Sequence, residues 1–200
     1  MSESKWVAGQ PAFQDRMPPL PPGKMTDAQR KAAQEMIAGP RKGVKGPFVP
    51  LLRSPELMDR LQKVGEYLRF RSSLEPRISE FIMLVVSREW TQHFEWFVHV
   101  PLGRKAGISE ETIAALAEGR RPSGMSEHEE VAYDFCEELL RTKGVSETTY
   151  RRTVTKFGEN GVIDMIGVAG YFTTVSMVMN VAHSPPPEDK SVSALFPYPF

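Results

Sequence analysis

The chain has 200 residues, 40% of them hydrophobic, and 25 basic against 25 acidic side chains leave it with no formal net charge. That is enough for one domain with a sizeable core and short for two. With no long run of either sign, the chain concentrates no positive potential that would hold nucleic acid or an anionic membrane, so a small molecule is the expected partner. The single cysteine, Cys136, excludes an intrachain disulfide framework, a Cys-x-x-Cys redox pair and a thiolate-rich metal centre. The start Met1-Ser2-Glu3-Ser4 has neither the basic opening nor the apolar run of an export signal, and a cytoplasmic location is expected.

Prolines crowd both ends of the sequence. Residues 1–45 read as a proline-rich arm with room for one short helix, and residues 184–200 as a second, proline- and aromatic-rich arm. Trp6, Phe13, Phe48, Phe196, Tyr198 and Phe200 favour arms that pack on a neighbouring subunit over solvated tails. Between them, residues 46–183 read as one helical domain. In chain order, Thr26-x-x-Gln29 is a capping box that opens a helix over 26–38. Ser54-Pro55 starts a helix over 55–72, with Leu57, Leu61, Val64 and Leu68 at helical period and Arg71 continuing the stripe. Glu75-Pro76 starts another over 76–90, in which Glu80 directly precedes the apolar run Phe81 to Val86. Further helices are expected over 91–106, over 110–119 after Ser109, over 127–142 behind the Ser126-x-x-Glu129 box, over 147–157 after Ser146, and over 160–182. Period-2 strands are absent, so the fold class is all-α. The stretch Val162 to Ala182 has the length of a membrane span, but Asp164, Thr173, Thr174, Ser176 and Asn180 interrupt it; it reads as a helix buried in the core or in an oligomer interface.

One helix carries the pattern that suggests chemistry. At 100° per residue, the helix opening near Thr91 places Gln92, Glu95, Trp96, His99, Leu102, Gly103 and Ala106 on one side, away from His93, Phe97 and Arg104. An amide, a carboxylate and an imidazole thus share the inward face, and Glu95 and His99, four residues apart, can pair. Pro101 removes an amide just past His99 and opens room beside the ring. Glu80 against apolar walls and Arg71 at the end of an apolar stripe are charges in unusual places; Arg71 suits a substrate carboxylate, or else pairs with Glu80. The bland alternative for the whole face is a buried network that fixes helix register. A zinc or iron site from Glu80, Glu95 and His99 has suitable donor types but only one histidine, so no metal is expected.

The residues Gly46-Pro47-Phe48, Ser54-Pro55-Glu56-Leu57, Gly65 to Arg71, and above all Glu80 followed by Gln92-His93-Phe94-Glu95-Trp96-Phe97-Val98-His99, resemble the carboxymuconolactone decarboxylase and alkylhydroperoxidase-like family of all-helical proteins. The resemblance covers about residues 46–182. In the hydroperoxidase branch it implies a glutamate, a Cys-x-x-Cys pair and a histidine four residues after the second cysteine. Glu80 and His99 match, but Gln92 and Glu95 stand where the cysteines would be, so both thiols of that route are missing. The decarboxylase branch carries the glutamate and histidine without the cysteines. The resemblance also implies a homo-oligomer, a trimer or hexamer. The expectation is therefore a cofactor-free lyase or isomerase acting on a small carboxylated lactone or similar enolisable acid. In it, His99 oriented by Glu95 moves the proton, Glu80 tunes the pair, Gln92 donates to a developing oxyanion, Arg71 holds a carboxylate, and Trp96 and Phe48 exclude water. A non-catalytic oligomer of the same fold is the alternative, and peroxidase activity through Cys136 a distant third.

Overall fold

The computed structural model describes residues 14–187 and 191–195; the arm aromatics Trp6, Phe13, Phe196, Tyr198 and Phe200 lie outside them. Among the described residues the chain is helical throughout: a 3-10 turn at Pro22–Lys24, then α1 (Asp27–Ala38), α2 (Phe48–Leu51), α3 (Pro55–Phe70), α4 (Pro76–Glu89), α5 (His93–Lys105), α6 (Glu110–Ala117), α7 (Glu127–Thr142) and α8 (Glu147–Ala182). The start signals act as their chemistry dictates. Thr26 and Ser126 close full capping boxes with Gln29 and Glu129, while the Ser109 and Ser146 hydroxyls accept from the Thr112 and Thr149 amides, each cap being worth about 1 kcal/mol. The two helices expected over 147–157 and 160–182 join without a loop: Gly158, at φ 67° and ψ 174°, is the single non-helical residue between them.

The core forms around α4. Its run Phe81 to Val86 is buried, Phe81, Ile82, Met83, Leu84 and Val86 completely, because α5, α7 and α8 pack around it. Each such side chain contributes about 1.5–3 kcal/mol of burial. The apolar helix α8 is long enough to cross a membrane, yet 56% of its most apolar stretch is buried inside the fold, as a core helix requires. Asp164 interrupts that helix for a structural reason. Its carboxylate, 3% exposed, accepts from the Ser73 amide and hydroxyl at 2.7 Å each and from the Tyr67 hydroxyl at 3.1 Å. The end of α3 is thereby tied to α8.

One expectation requires correction. The buried face of α3 consists of Met58, Gly65 and Leu68, while Leu57 and Val64 are exposed, so the inward stripe is rotated by one residue from the one read off the larger side chains. The arms, where described, pack on their own chain: the Arg16 amide donates to the Ala182 carbonyl, and Val192 and Leu195 are buried in the core. The segment 14–38 is more than a tail, since Ala32, Ala33 and Met36 of α1 form a second apolar cluster with Phe48, Leu51, Leu52 and Met58.

Gly65 permits the closest approach in this arrangement. A Cβ there would fall 2.3 Å from the Tyr171 hydroxyl and 2.4 Å from its Cζ. Gly65→Ala should destabilise the protein by about 1–3 kcal/mol through overpacking, read as a lower thermal midpoint; an unchanged midpoint would contradict this packing of α3 on α8.

Candidate active site

The site begins at the turn between α4 and α5. Trp90 ends α4, Thr91 takes a positive φ of 44°, and Gln92 caps α5. A β-branched residue in that region is strained, and the turn is held from several sides. The Thr91 and Gln92 amides donate back to the Arg88 and Ser87 carbonyls, Asn180 of α8 donates to the Trp90 carbonyl at 3.0 Å, and Gln92 Nε2 donates to Asn180 Oδ1 at 2.8 Å. Gln92 Oε1 accepts from the Phe94 amide at 2.6 Å. Both ends of the Gln92 amide are therefore engaged in fixing the start of α5, and its expected role as an oxyanion donor is not what the geometry shows.

From that start, α5 directs Glu95, Trp96, His99, Val100 and Gly103 inward, much as the helical period requires. His99 is 1% exposed. Its Nδ1 lies 2.6 Å from Glu80 Oε2 on α4 and its Nε2 lies 3.2 Å from Glu95 Oε2 one turn back. The ring edge meets Phe172 of α8 at a centroid distance of 5.0 Å and an angle of 84°. Burial works against the imidazolium, but the hydrogen bonds and charges of Glu80 and Glu95 outweigh it and hold the His99 pKa above its ordinary value. In its protonated form His99 has a carboxylate oxygen to donate to at each nitrogen. Among the described residues no group of three or more His, Cys, Asp or Glu side chains is arranged to hold a metal ion, and here each imidazole nitrogen already faces a carboxylate.

Glu95 and His99 open onto a cavity of about 390 Å³ that is also lined by Phe48, Phe94, Tyr171 and Phe172, a size suited to a small molecule. Glu80 is not part of that lining. Glu80 thus meets the ring at Nδ1 from outside that lining, and Glu95 lies beside Nε2 on the cavity side. Phe48 is a wall, as expected. Trp96 is not, because it faces the C-terminal segment, donating from Nε1 to the Ser193 carbonyl at 2.9 Å. Arg71 is also displaced. The helix ends at Phe70, Arg71 takes non-helical cap angles of −139° and 0°, and its exposed guanidinium lies 3.3 Å from Glu66, not near Glu80. The cavity arginines are instead Arg69, on the true inward side of α3, and Arg41, on the loop after α1. Arg69 follows Met58 and Gly65 at helical spacing, a signal present in the sequence; Arg41 carries no local signal. His93, read as solvent-facing, is half-buried, and burial followed by the nearby Arg88 charge lowers its pKa.

The His99 imidazole, followed by side-chain NMR, should titrate above 6.5, its ordinary value, and Glu80→Gln should bring the midpoint down. A group whose folded pKa is raised stabilises the fold fully below its unfolded pKa, here about 6.5, and that contribution disappears as pH rises through the folded value. A midpoint at or below 6.5 in the unsubstituted protein would contradict the pairing of His99 with its two carboxylates.

Residues 55–138, a little under half the chain, match the carboxymuconolactone decarboxylase family. No curated protein matches the sequence. Among solved structures, a peroxidase-related protein with an alkylhydroperoxidase AhpD core from Ralstonia eutropha JMP134 superposes with a TM-score of 0.69 at 14% identity, covering 86% of this chain and 92% of that one. A peroxidase-related protein from Silicibacter sp. TM1040 superposes with a TM-score of 0.70 at 16% identity, over 92% of this chain and 96% of that one. At such identities the likeness is one of fold. The segment that resembles the carboxymuconolactone decarboxylase family contains Glu80, Glu95 and His99, and the chain as a whole shares the all-helical fold of these AhpD-core structures.

Proposed function

We propose that the protein is a lyase or isomerase of the carboxymuconolactone decarboxylase type that uses acid/base chemistry of its own side chains on a small carboxylated lactone or similar enolisable acid. The observation that carries this reading is the buried His99, bridged to Glu80 and Glu95, with only the Glu95 side opening onto a cavity. The raised pKa of His99 favours its protonated form, and Glu95 beside it can accept or pass a proton. In a decarboxylation the bond to the leaving carboxyl breaks, its electron pair passes into the conjugated carbonyl system, and His99 returns a proton to carbon. In an isomerisation Glu95 takes a proton from one carbon and the pair returns it at another. Glu80 keeps the ring in register and balances its charge throughout. Phe48, Phe94 and Phe172 limit water around the reacting atoms.

The dithiol route of the hydroperoxidase branch has no support here. Gln92 and Glu95 occupy the positions of the two cysteines, and Cys136 is 0% exposed, its thiol pushed up to about 12 by burial. The proposal includes a cytoplasmic homo-oligomer. Ile163, Ile166, Met177 and Val181 lie exposed on α8, and Leu57, Val64 and Phe70 on α3, apolar surface that a second copy could cover.

Carbon dioxide release from a panel of carboxylated butenolides and β-keto acids tests the reading. His99→Ala should lower kcat/KM by about 10²–10⁴-fold on any member that turns over. Equal turnover by His99→Ala, or none by the unsubstituted protein on any member, would favour a binding protein of the same fold.

A further inference from the structure

Most arginines of this chain pair with carboxylates, and Arg16, Arg53 and Arg88 donate to backbone carbonyls. Arg30, Arg77, Arg104, Arg121 and Arg152 each hold a carboxylate. Arg41 and Arg69 hold none among the described residues, and both line the cavity that Glu95 and His99 open onto. Arg41 Nη2 and Arg69 Nε are moreover buried without a hydrogen-bond partner there. An unpartnered buried donor costs about 1–3 kcal/mol, and more when it carries charge, so two in one cavity require an explanation.

We propose that Arg41 and Arg69 form an anion-binding subsite that takes a carboxylate of the substrate while its reacting end lies at Glu95 and His99. The inference rests on the acid/base reading for what happens next, but the subsite itself rests on the arginines. Their planes are set by aromatic rings: the Arg41 guanidinium carbon lies 4.5 Å from the Phe48 centroid and that of Arg69 lies 5.2 Å from the Phe70 centroid. Arg69 is held in place by the last turn of α3, which Asp164 ties to α8. Burial disfavours the Arg41 cation most; the Tyr171 phenol, which shares a hydrogen bond with Arg41, acts in the opposite direction, as do Glu95 and Glu66, while the charge of Arg69 adds to the effect of burial. An arginine stays charged under such conditions, so the cavity keeps positive potential that a ligand anion would neutralise. A carboxylate fits better than a phosphate. It is planar, as the guanidinium fork requires, and the aromatic walls suit an apolar ring or chain attached to it. Lys45 and the Tyr171 hydroxyl also line the cavity, but no serine or threonine does.

Isothermal titration calorimetry of the full chain with benzoate, succinate, inorganic phosphate and methyl benzoate tests this. The carboxylates should bind the unsubstituted protein and His99→Asn. Arg41→Gln and Arg69→Gln should each weaken that binding by about 10- to 100-fold, the worth of a hydrogen bond to a charged group, and Arg71→Gln should leave it unchanged. Thermal midpoints of the two cavity variants should be at or above that of the unsubstituted protein, because each removes a buried cation that has no carboxylate partner. Absence of carboxylate binding, equal binding of methyl benzoate, tighter binding of phosphate, or unchanged affinity in both cavity variants would overturn the subsite. Carboxylate binding that depends on both arginines, without turnover of any acid in the panel, would leave the subsite standing and remove the proton chemistry. Turnover with an unchanged KM in both variants would do the reverse.

Discussion

The imidazole of His99, enclosed in the core between the carboxylates of Glu80 and Glu95, is the constraint on which the rest of this structure depends. Placing three ionisable groups at the crossing of α4 and α5 costs several kcal/mol per uncompensated charge, so each must find its partner at hydrogen-bond distance. Glu80 can do so only if α4 and α5 keep one register, and the register is set at the strained Trp90 to Gln92 turn. That turn in turn needs Asn180, which reaches across from α8 to hold both the Trp90 carbonyl and the Gln92 amide. The central position of α4, the cap of α5 and Asn180 near the end of α8 are thus parts of one requirement.

A buried network of this kind can exist simply to specify packing. What distinguishes this one is its asymmetry. Glu80 lies behind the ring, whereas Glu95 and His99 border a cavity whose other charged members are Lys45 and two arginines, Arg41 and Arg69, that hold no carboxylate among the described residues. A purely structural trio would be expected to close over its charges; this one leaves a proton-carrying edge and a positive wall in the same space. Relative to the Cys-x-x-Cys pattern that the family resemblance implies for the hydroperoxidase branch, the first cysteine position has become a helix cap, Gln92, and the second a carboxylate beside the imidazole, Glu95. Under the proposed function, the histidine stands beside a carboxylate oxygen that would exchange protons, where the hydroperoxidase pattern has a sulfur that exchanges electrons.

Much of this was legible in the sequence wherever local chemistry decides the outcome. Capping boxes and prolines at first helical positions located the helix starts, and the spacing of Glu95 and His99 placed both on the inward side of α5. The single glycine joint at Gly158 fell between two expected helices. The errors share a different cause. The inward face of α3 was assigned to its largest apolar side chains, Leu57 and Val64, but packing against Tyr171 demands the smallest residue, Gly65, at the contact; the rotation carried Arg71 into the site and Arg69 out of it. Gln92 and Trp96 were placed on the correct face, yet their polar atoms are engaged by Asn180 and Ser193, residues far away in sequence. Arg41 comes from a loop whose position only the tertiary structure determines.

Proton transfer at carbon by the His99 pair is the central claim, and it can be measured without knowing the natural substrate. Deuterium incorporation from D2O into the α-carbon of small enolisable keto acids, followed by proton NMR, should proceed above the buffer rate with the unsubstituted protein and fall to the buffer rate with His99→Gln. Exchange at the buffer rate for every acid that binds, or exchange in His99→Gln as fast as in the unsubstituted protein, would contradict the account.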